Sequence, residues 1–212
     1  MKKILFFGDS NTWGYDCVTG GRYDEETRFT GRIAKTMPQW KIIEEGLKGR
    51  TNGYDDGPIN ELNGRKMLPA LLCTQDPIDL LVIMLGTNDT KSKFHSTPYE
   101  ISRELELNIR LTQHRDLWDG LKDPEILVVA PSPVTAKIQG TVMEGHFDSA
   151  SITCSEGLAA EFRHVADKCG CAFFDAEVCL KGEPKRDGVH LTEKGHEILA
   201  EGLITEIQKI LK

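Results

Sequence analysis

The stretch that decides the fold is KKILFFGDSNTWG, residues 2–14. Its apolar run at positions 4–7 stops at Gly8 and gives way to small polar residues. A short apolar run bounded in this way predicts a buried strand. The polar turn after it therefore predicts that Ser10 lies at the carboxyl edge of a sheet, where open α/β sheets bind ligands. On its own, the sequence Gly-Asp-Ser is also typical of ordinary turns.

Further apolar runs of strand length alternate with helix-like segments along the chain. The run LLVIML at 80–85 has no polar alternation, which indicates a strand buried on both faces, as in a parallel sheet. Strands are predicted at residues 3–7, 41–45, 79–85, 125–130 and 171–175. Helices are predicted at residues 27–37, 64–72, 151–168 and 192–212, and another begins at Thr97. This alternation predicts one doubly wound α/β domain over residues 1–212, with right-handed crossovers.

One segment, residues 132–149, fits neither pattern and is rich in Pro, Gly and Thr. A loop of this length inside a compact domain is often functional, as a pocket wall or an oligomer contact. Disorder is the alternative interpretation. The sequence leaves both open.

Composition and charge restrict the class of protein. The formal net charge of the 212 residues is −7 and there is no basic stripe, which argues against nucleic acid or an anionic membrane as a partner. The longest apolar run has six residues, too few to span a bilayer, and the apolar run at the start of the chain is too short for a signal peptide. We therefore expect a cytoplasmic protein. The six cysteines lack the spacing of a metal-ligand set, so no metal is expected.

Three more polar stretches fall at the same predicted edge as Ser10. They are EEGLKGRT at 44–51, GTND at 86–89 and DGVH at 187–190. A serine hydroxyl is a weak nucleophile and needs an adjacent base. His190 would take the proton from Ser10 and later return it to the leaving group. Asp187, three residues earlier, would hold the imidazole in the correct tautomer and stabilise its charged form.

Acyl transfer also requires hydrogen-bond donors where negative charge develops on the substrate oxygen. The amides of Ser10 and Gly49 and the side chain of Asn88 would supply three such donors. The residues at this edge therefore predict a serine-dependent acyl-transfer site.

Four sequence blocks in this order resemble those of the SGNH (GDSL-type) hydrolases. They are GDS at 8–10, Gly49, GTND at 86–89 and DGVH at 187–190, so they span nearly the whole chain. The resemblance implies a flavodoxin-like three-layer α/β/α sandwich with strand order 2-1-3-4-5. It assigns the catalytic triad to Ser10, Asp187 and His190 and the oxyanion hole to Ser10, Gly49 and Asn88, without a metal or cofactor.

Within that superfamily, GDSNTWG at 8–14, EGLKGRT at 45–51 and GTNDTK at 86–91 are similar to the small bacterial arylesterases and acyltransferases. That branch acts on short acyl esters and often forms homo-oligomers, which implies a small-molecule ester substrate here. The usual Leu after the nucleophile is Asn11 in this chain, which bears on how apolar the floor of the site is.

Four side chains are candidates for the substrate pocket, namely Asn11, Trp13, Thr87 and Phe147. Asp89 is expected to brace its loop or to pair with Arg50, and Arg50 to clamp a loop. The five histidines other than His190 are predicted to lie at the surface or in the core, and they are His95, His114, His146, His164 and His196.

The predicted function is a serine esterase that acts on short-chain esters, acetyl esters in particular, through a covalent acyl-enzyme. A carbohydrate acetyl esterase, a thioesterase or a lysophospholipase would use the same site on a different substrate. An alternative of another class is a non-catalytic binding protein on the same fold.

Overall fold

A parallel five-stranded sheet runs through the centre of the computed structural model, which describes residues 1–114 and 123–212. The strands are β1 (Lys2–Gly8), β2 (Trp40–Gly46), β3 (Leu80–Met84), β4 (Glu125–Ala130) and β5 (Ala172–Asp175). Their order is β2-β1-β3-β4-β5, and every neighbouring pair is parallel. The predicted α/β fold and the strand order that the family resemblance implied are confirmed.

Seven α-helices are present in the described part of the chain. They are α1 (Ser10–Trp13), α2 (Phe29–Thr36), α3 (Gly64–Gln75), α4 (Pro98–Thr112), α5 (Ser149–Cys169), α6 (Ala176–Leu180) and α7 (Glu193–Ile210). Five of them match the predicted helices within a few residues at each end. The short helices α1 and α6 were not predicted, because a single turn gives no hydrophobic periodicity. None of the helices within these ranges combines the length and apolarity needed to cross a lipid bilayer.

Strand β1 shows why the apolar runs lack polar alternation. Leu5 and Phe7 point to one side, into a core shared with α3, α4 and α5. Ile4 and Phe6 point to the other side, into a core shared with α2, α6 and α7. A strand buried on both faces has to be apolar at every position. The sheet is therefore the middle layer of a three-layer sandwich.

The carboxyl ends of the parallel strands meet at one edge of the sheet and place the polar turns side by side. Gly8, the last residue of β1, is in register with Gly46 of β2 and Met84 of β3. A Cβ atom at Gly46 would lie 2.2 Å from the amide nitrogen of Trp13. Because glycine has no side chain, α1 rests directly on the end of β2, and Ser10 starts that helix at the sheet edge.

Candidate active site

Ser10, His190 and Asp187 come together at the carboxyl edge of the sheet. The Nε2 atom of His190 lies 2.9 Å from Ser10 Oγ, and its Nδ1 atom lies 2.6 Å from Asp187 Oδ2. All three residues are buried. When Nδ1–H donates to the carboxylate, Nε2 is free to accept the serine proton. This is the geometry of a nucleophile, a base and an orienting acid.

The turn from Asp187 to His190 is built by local backbone contacts. Asp187 Oδ1 accepts hydrogen bonds from the amides of Val189 and His190, at 3.0 and 2.8 Å. Gly188 has φ of 81°, and a Cβ atom there would lie 2.5 Å from the Ile138 amide nitrogen, so the turn requires glycine. Burial raises the pKa of Asp187, but its hydrogen bonds with His190 and with these amides lower it below its ordinary value overall. Asp187 therefore remains ionised beside the imidazole.

The side chain of Asn11 contacts the backbone on both sides of His190. Its Nδ2 donates to the Val189 carbonyl at 3.4 Å, and its Oδ1 accepts from the Leu191 amide at 3.0 Å. Asn11 follows Ser10 directly, so this contact links the turn of Ser10 to the loop that carries His190. Asn11 was predicted to line the substrate pocket. Its amide group is instead hydrogen-bonded to backbone and does not line the cavity described below.

Three candidate oxyanion donors border one cavity, because Gly49 and Asn88 line it together with Ser10. Within residues 1–114 and 123–212, neither the Ser10 amide nor the Gly49 amide has a hydrogen-bond acceptor. Asn88 Nδ2 donates to the Arg50 carbonyl at 3.1 Å, which orients the side-chain amide and leaves its second N–H free. An oxyanion that develops during acyl transfer is stabilised by hydrogen-bond donors that have no other acceptor, and these three residues offer such donors.

Buried charged residues behind the site hold its loops together. Arg50 Nη1 donates to the last carbonyl of β1 at 3.1 Å and also to the Glu45 carbonyl, so it clamps the ends of β1 and β2. The Asp89 carboxylate accepts the Asn52 amide at 2.8 and 3.1 Å and thus braces its loop instead of pairing with Arg50. Burial raises the pKa of Asp89 to about 7 and that of Asp9 to about 6, and it lowers the pKa of Arg50 to about 10.

A cavity of about 300 Å³ opens above Ser10 and His190. Its other lining residues are Tyr15, Lys48, Gly49, Asn88, Lys91, Met143, His146, Phe147 and Val189. The segment 132–149 contributes Met143, His146 and Phe147, and it therefore forms a wall of the pocket. Among the described residues, no group of three or more His, Cys, Asp or Glu side chains could hold a metal ion.

Of the four side chains predicted to line the pocket, only Phe147 does so. Trp13 lies outside the lining and instead contacts a pocket residue, since its ring centroid is 4.7 Å from Lys48 Nζ. Thr87 is buried in the turn after β3, where its carbonyl accepts the Thr90 hydroxyl at 2.7 Å. These side chains were expected in the pocket because of their nearness to the motifs in sequence, and packing turns them elsewhere.

The pocket residues predicted from the sequence did not include Lys48, Lys91 or His146, which all line the cavity. His146 reaches the cavity because its segment folds back on the loop after β3, where the His146 carbonyl accepts the Ser92 amide at 3.0 Å. No local sequence pattern marks such a tertiary contact. His196, in contrast, is a core histidine as predicted: its Nδ1 accepts the Phe29 amide at 3.3 Å, and burial lowers its pKa to about 3.

The sheet topology and the Ser–His–Asp geometry together define the class of serine hydrolases built on a three-layer α/β/α sandwich. The model of the GDSL-like Lipase/Acylhydrolase family matches residues 6–198. The chain belongs to this family, and the predicted SGNH resemblance and the prediction of an ester-hydrolysing enzyme are confirmed.

Solved structures of other proteins are similar to this chain in fold and, to different degrees, in sequence. A carbohydrate acetylesterase from Sinorhizobium meliloti is 35% identical, covers 99% of this chain and 100% of its own, and superposes with a TM-score of 0.92. The aryl esterase of M. smegmatis is 32% identical over 99% of this chain and 100% of its own, with a TM-score of 0.90. A lipase/acylhydrolase from Enterococcus faecalis, 19% identical over 99% of this chain and 96% of its own, shares the fold with a TM-score of 0.72. No match was found among curated proteins.

Proposed function

We propose that this protein is a serine esterase that hydrolyses short-chain esters of small molecules, acetyl esters in particular, through a covalent acyl-enzyme. One observation carries the proposal, the 2.9 Å separation of Ser10 Oγ and His190 Nε2, with Asp187 held against Nδ1. A buried serine that donates to an oriented imidazole is an activated nucleophile. The family and its neighbouring esterases support the same chemistry.

The reaction has two half-reactions that use the same groups. Ser10 Oγ attacks the acyl carbon while His190 Nε2 takes the hydroxyl proton, and the oxyanion accepts hydrogen bonds from Ser10, Gly49 and Asn88. His190 then gives its proton to the departing alcohol oxygen, which leaves an acyl ester on Ser10. Water attacks that ester and loses a proton to His190. As the second oxyanion collapses, His190 returns this proton to Ser10 Oγ, which releases the acid and restores the Ser10 hydroxyl.

The size of the cavity favours a small substrate. At about 300 Å³ it lies at the lower end of the range typical of small-molecule pockets. Phe147 and Met143 contribute apolar surface to the cavity lining, and a cavity of this size can hold an acetyl or similarly short acyl group. A lysophospholipid with a long acyl chain would need an extended apolar groove instead.

A carbohydrate acetyl esterase is the second candidate. A neighbour at 35% identity is a carbohydrate acetylesterase, and the cavity rim of this chain combines an aromatic ring, Tyr15, with the polar side chains of Lys48, Lys91 and His146. Rates on acetylated sugars and on aryl acetates, measured side by side across several acyl chain lengths, separate this candidate from a simple arylesterase.

The proposed function is tested by the hydrolysis of p-nitrophenyl acetate. We expect Ser10→Ala to reduce kcat by about a thousandfold or more, because the covalent step is lost. Ser149→Ala is the matched control, since Ser149 is an exposed serine at the start of α5. A Ser10→Ala protein that hydrolysed this ester as fast as the wild type would end the proposal.

A further inference from the structure

We propose that the enzyme prefers esters whose alcohol part carries a negatively charged group, such as a carboxylate, and that Lys48 recognises this charge. The inference rests on the proposed esterase function and adds the chemistry of the substrate to it. It is carried by the charge of the cavity wall, by the surroundings of Lys48 and by the position of Lys48 relative to His190.

The charge at the cavity is opposite in sign to that of the whole protein. The chain has a formal net charge of −7, yet the described residues that line the cavity include two lysines and no carboxylate. Lys91 is paired with Asp56 at 2.5 Å, and the same carboxylate also pairs with Lys93. One negative charge therefore serves two lysines there, and positive charge remains in excess at the rim.

Lys48 lies against aromatic rings instead of an acid. No carboxylate in the described part of the chain forms an ion pair with Lys48. Its Nζ atom lies 4.7 Å from the centroid of the Trp13 ring and 5.6 Å from that of Tyr15. Cation–π contacts of this kind fix the position of an ammonium group without neutralising it. A negatively charged substrate group would be the first counter-ion that Lys48 meets.

Tyr15 connects Lys48 to the leaving-group side of the site. The ring of Tyr15 lies 4.5 Å, centroid to centroid, from the imidazole of His190. In the proposed reaction His190 gives its proton to the departing alcohol, so the alcohol oxygen lies next to Nε2. A substituent on that alcohol extends along Tyr15 toward Lys48, whereas the acyl carbonyl is held at Gly49 and Asn88. The charge recognised by Lys48 is therefore on the alcohol part.

The expected preference is moderate because Lys48 is exposed. Between a solvated lysine and a carboxylate, attraction changes kcat/KM by about three- to tenfold. It should also weaken as salt screens the two charges. A lysine that only covered the Trp13 ring would affect charged and neutral substrates alike and would show no such dependence on salt.

The experiment compares 3-acetoxybenzoate with its neutral isostere 3-acetoxybenzamide, two acetyl esters of similar shape. The quantity measured is the ratio of their kcat/KM values in the wild type, Lys48→Gln, Lys48→Glu and the control Lys41→Gln. Lys41 is an exposed lysine at the start of β2, away from the carboxyl edge, and its replacement changes the net charge equally.

We expect a wild-type ratio that favours the anion, a roughly fivefold lower ratio in Lys48→Gln, a still lower one in Lys48→Glu and no change in Lys41→Gln. Raising the salt from about 0.05 M to about 0.5 M should bring the wild-type ratio toward that of Lys48→Gln. Equal ratios in the wild type and both Lys48 variants at low salt would overturn the inference while leaving the esterase proposal intact, because both acetates are still hydrolysed. If the wild type hydrolyses neither ester and Ser10 does not react with a fluorophosphonate, the proposed function fails, and this inference fails with it.

Discussion

The Oδ1 atom of Asn11 accepts a hydrogen bond from the Leu191 amide at 3.0 Å, and its Nδ2 atom donates to Val189 at 3.4 Å. Asn11, the residue after Ser10, thus holds the chain on both sides of His190. These bonds satisfy a buried amide side chain at a position where the related branch usually has leucine. We expect this link to help to hold His190 at its 2.9 Å contact with Ser10.

Replacing Asn11 with leucine should slow catalysis more than it weakens substrate binding. Asn11→Leu leaves the Leu191 amide and the Val189 carbonyl without their partner, which costs about 1–3 kcal/mol of stability. Because His190 is then less firmly placed, we expect kcat for p-nitrophenyl acetate to fall about tenfold with KM little changed. Urea unfolding and steady-state kinetics measure both effects. The control is Asn60→Leu at an exposed site, and a wild-type kcat in Asn11→Leu would refute the positioning role.

Asn88 should contribute to the transition state and little to the ground state. Its second N–H is free in the structure, and the oxyanion that it would bind exists only during the reaction. We expect Asn88→Ala to lower kcat about 10²- to 10³-fold with a much smaller change in KM. Unfolding midpoints of the two proteins show whether the fold is intact. A folded Asn88→Ala protein with kcat within about threefold of wild type would remove Asn88 from the oxyanion hole.

Phe147 should limit the length of the acyl chain. It is buried and packs with Val134, Ile138 and Val189 while also lining the cavity. Phe147→Ala enlarges the cavity and should raise the ratio of kcat/KM for p-nitrophenyl butyrate to that for the acetate by about tenfold. The same change should lower the free energy of unfolding by about 3 kcal/mol. Phe94→Ala, outside the cavity lining, is the control, and an unchanged ratio in Phe147→Ala would place the acyl group elsewhere.

Asp89 should make the protein less stable as the pH rises. Burial raises its folded-state pKa from 3.8 to about 7, so between these values the folded state holds a proton that the unfolded chain has lost. The resulting stabilisation is complete at low pH and disappears as the pH rises through about 7. Asp89→Asn cannot titrate. The unfolding free energy of the wild type minus that of the variant should therefore fall by about 2 kcal/mol from about pH 5 to about pH 8.

Urea unfolding at several pH values measures this difference. Burial shifts the pKa of Asp9 in the same direction, but Asp9 is present in both proteins, so its contribution to the difference in unfolding free energy largely cancels. A difference that stayed constant or grew with pH would show that Asp89 is ionised throughout this range in the folded protein.

Features with a local or periodic cause could be predicted from the sequence. The strand at 3–7 was predicted because burial on both faces demands an unbroken apolar run, which the two cores around Leu5 and Phe6 explain. The spacing of Asp187 and His190 was informative because one oxygen of the Asp187 carboxylate accepts the amides of Val189 and His190 within a single turn. Such relationships involve residues that are close in sequence, so they can be predicted without knowing the path of the rest of the chain.

Features that depend on tertiary packing could not be predicted in this way. Trp13 is close in sequence to Ser10, yet its ring contacts Lys48 and does not line the cavity. The orientation of a side chain in a turn is decided by the residues that pack against it. His146 reaches the cavity only through the path of a long loop. The bonds of Asn11 to residues 189 and 191 join distant parts of the chain and had no sequence signal beyond an unexpected polar residue.

Whether Ser10 is a nucleophile activated by His190 can be determined from the reaction of the protein with a fluorophosphonate probe, followed by intact mass and peptide mapping. We expect a single adduct on the wild type, located at Ser10, and no adduct on Ser10→Ala. An unlabelled wild type, or labelling of Ser10→Ala to the same extent, would show that Ser10 is not the activated nucleophile.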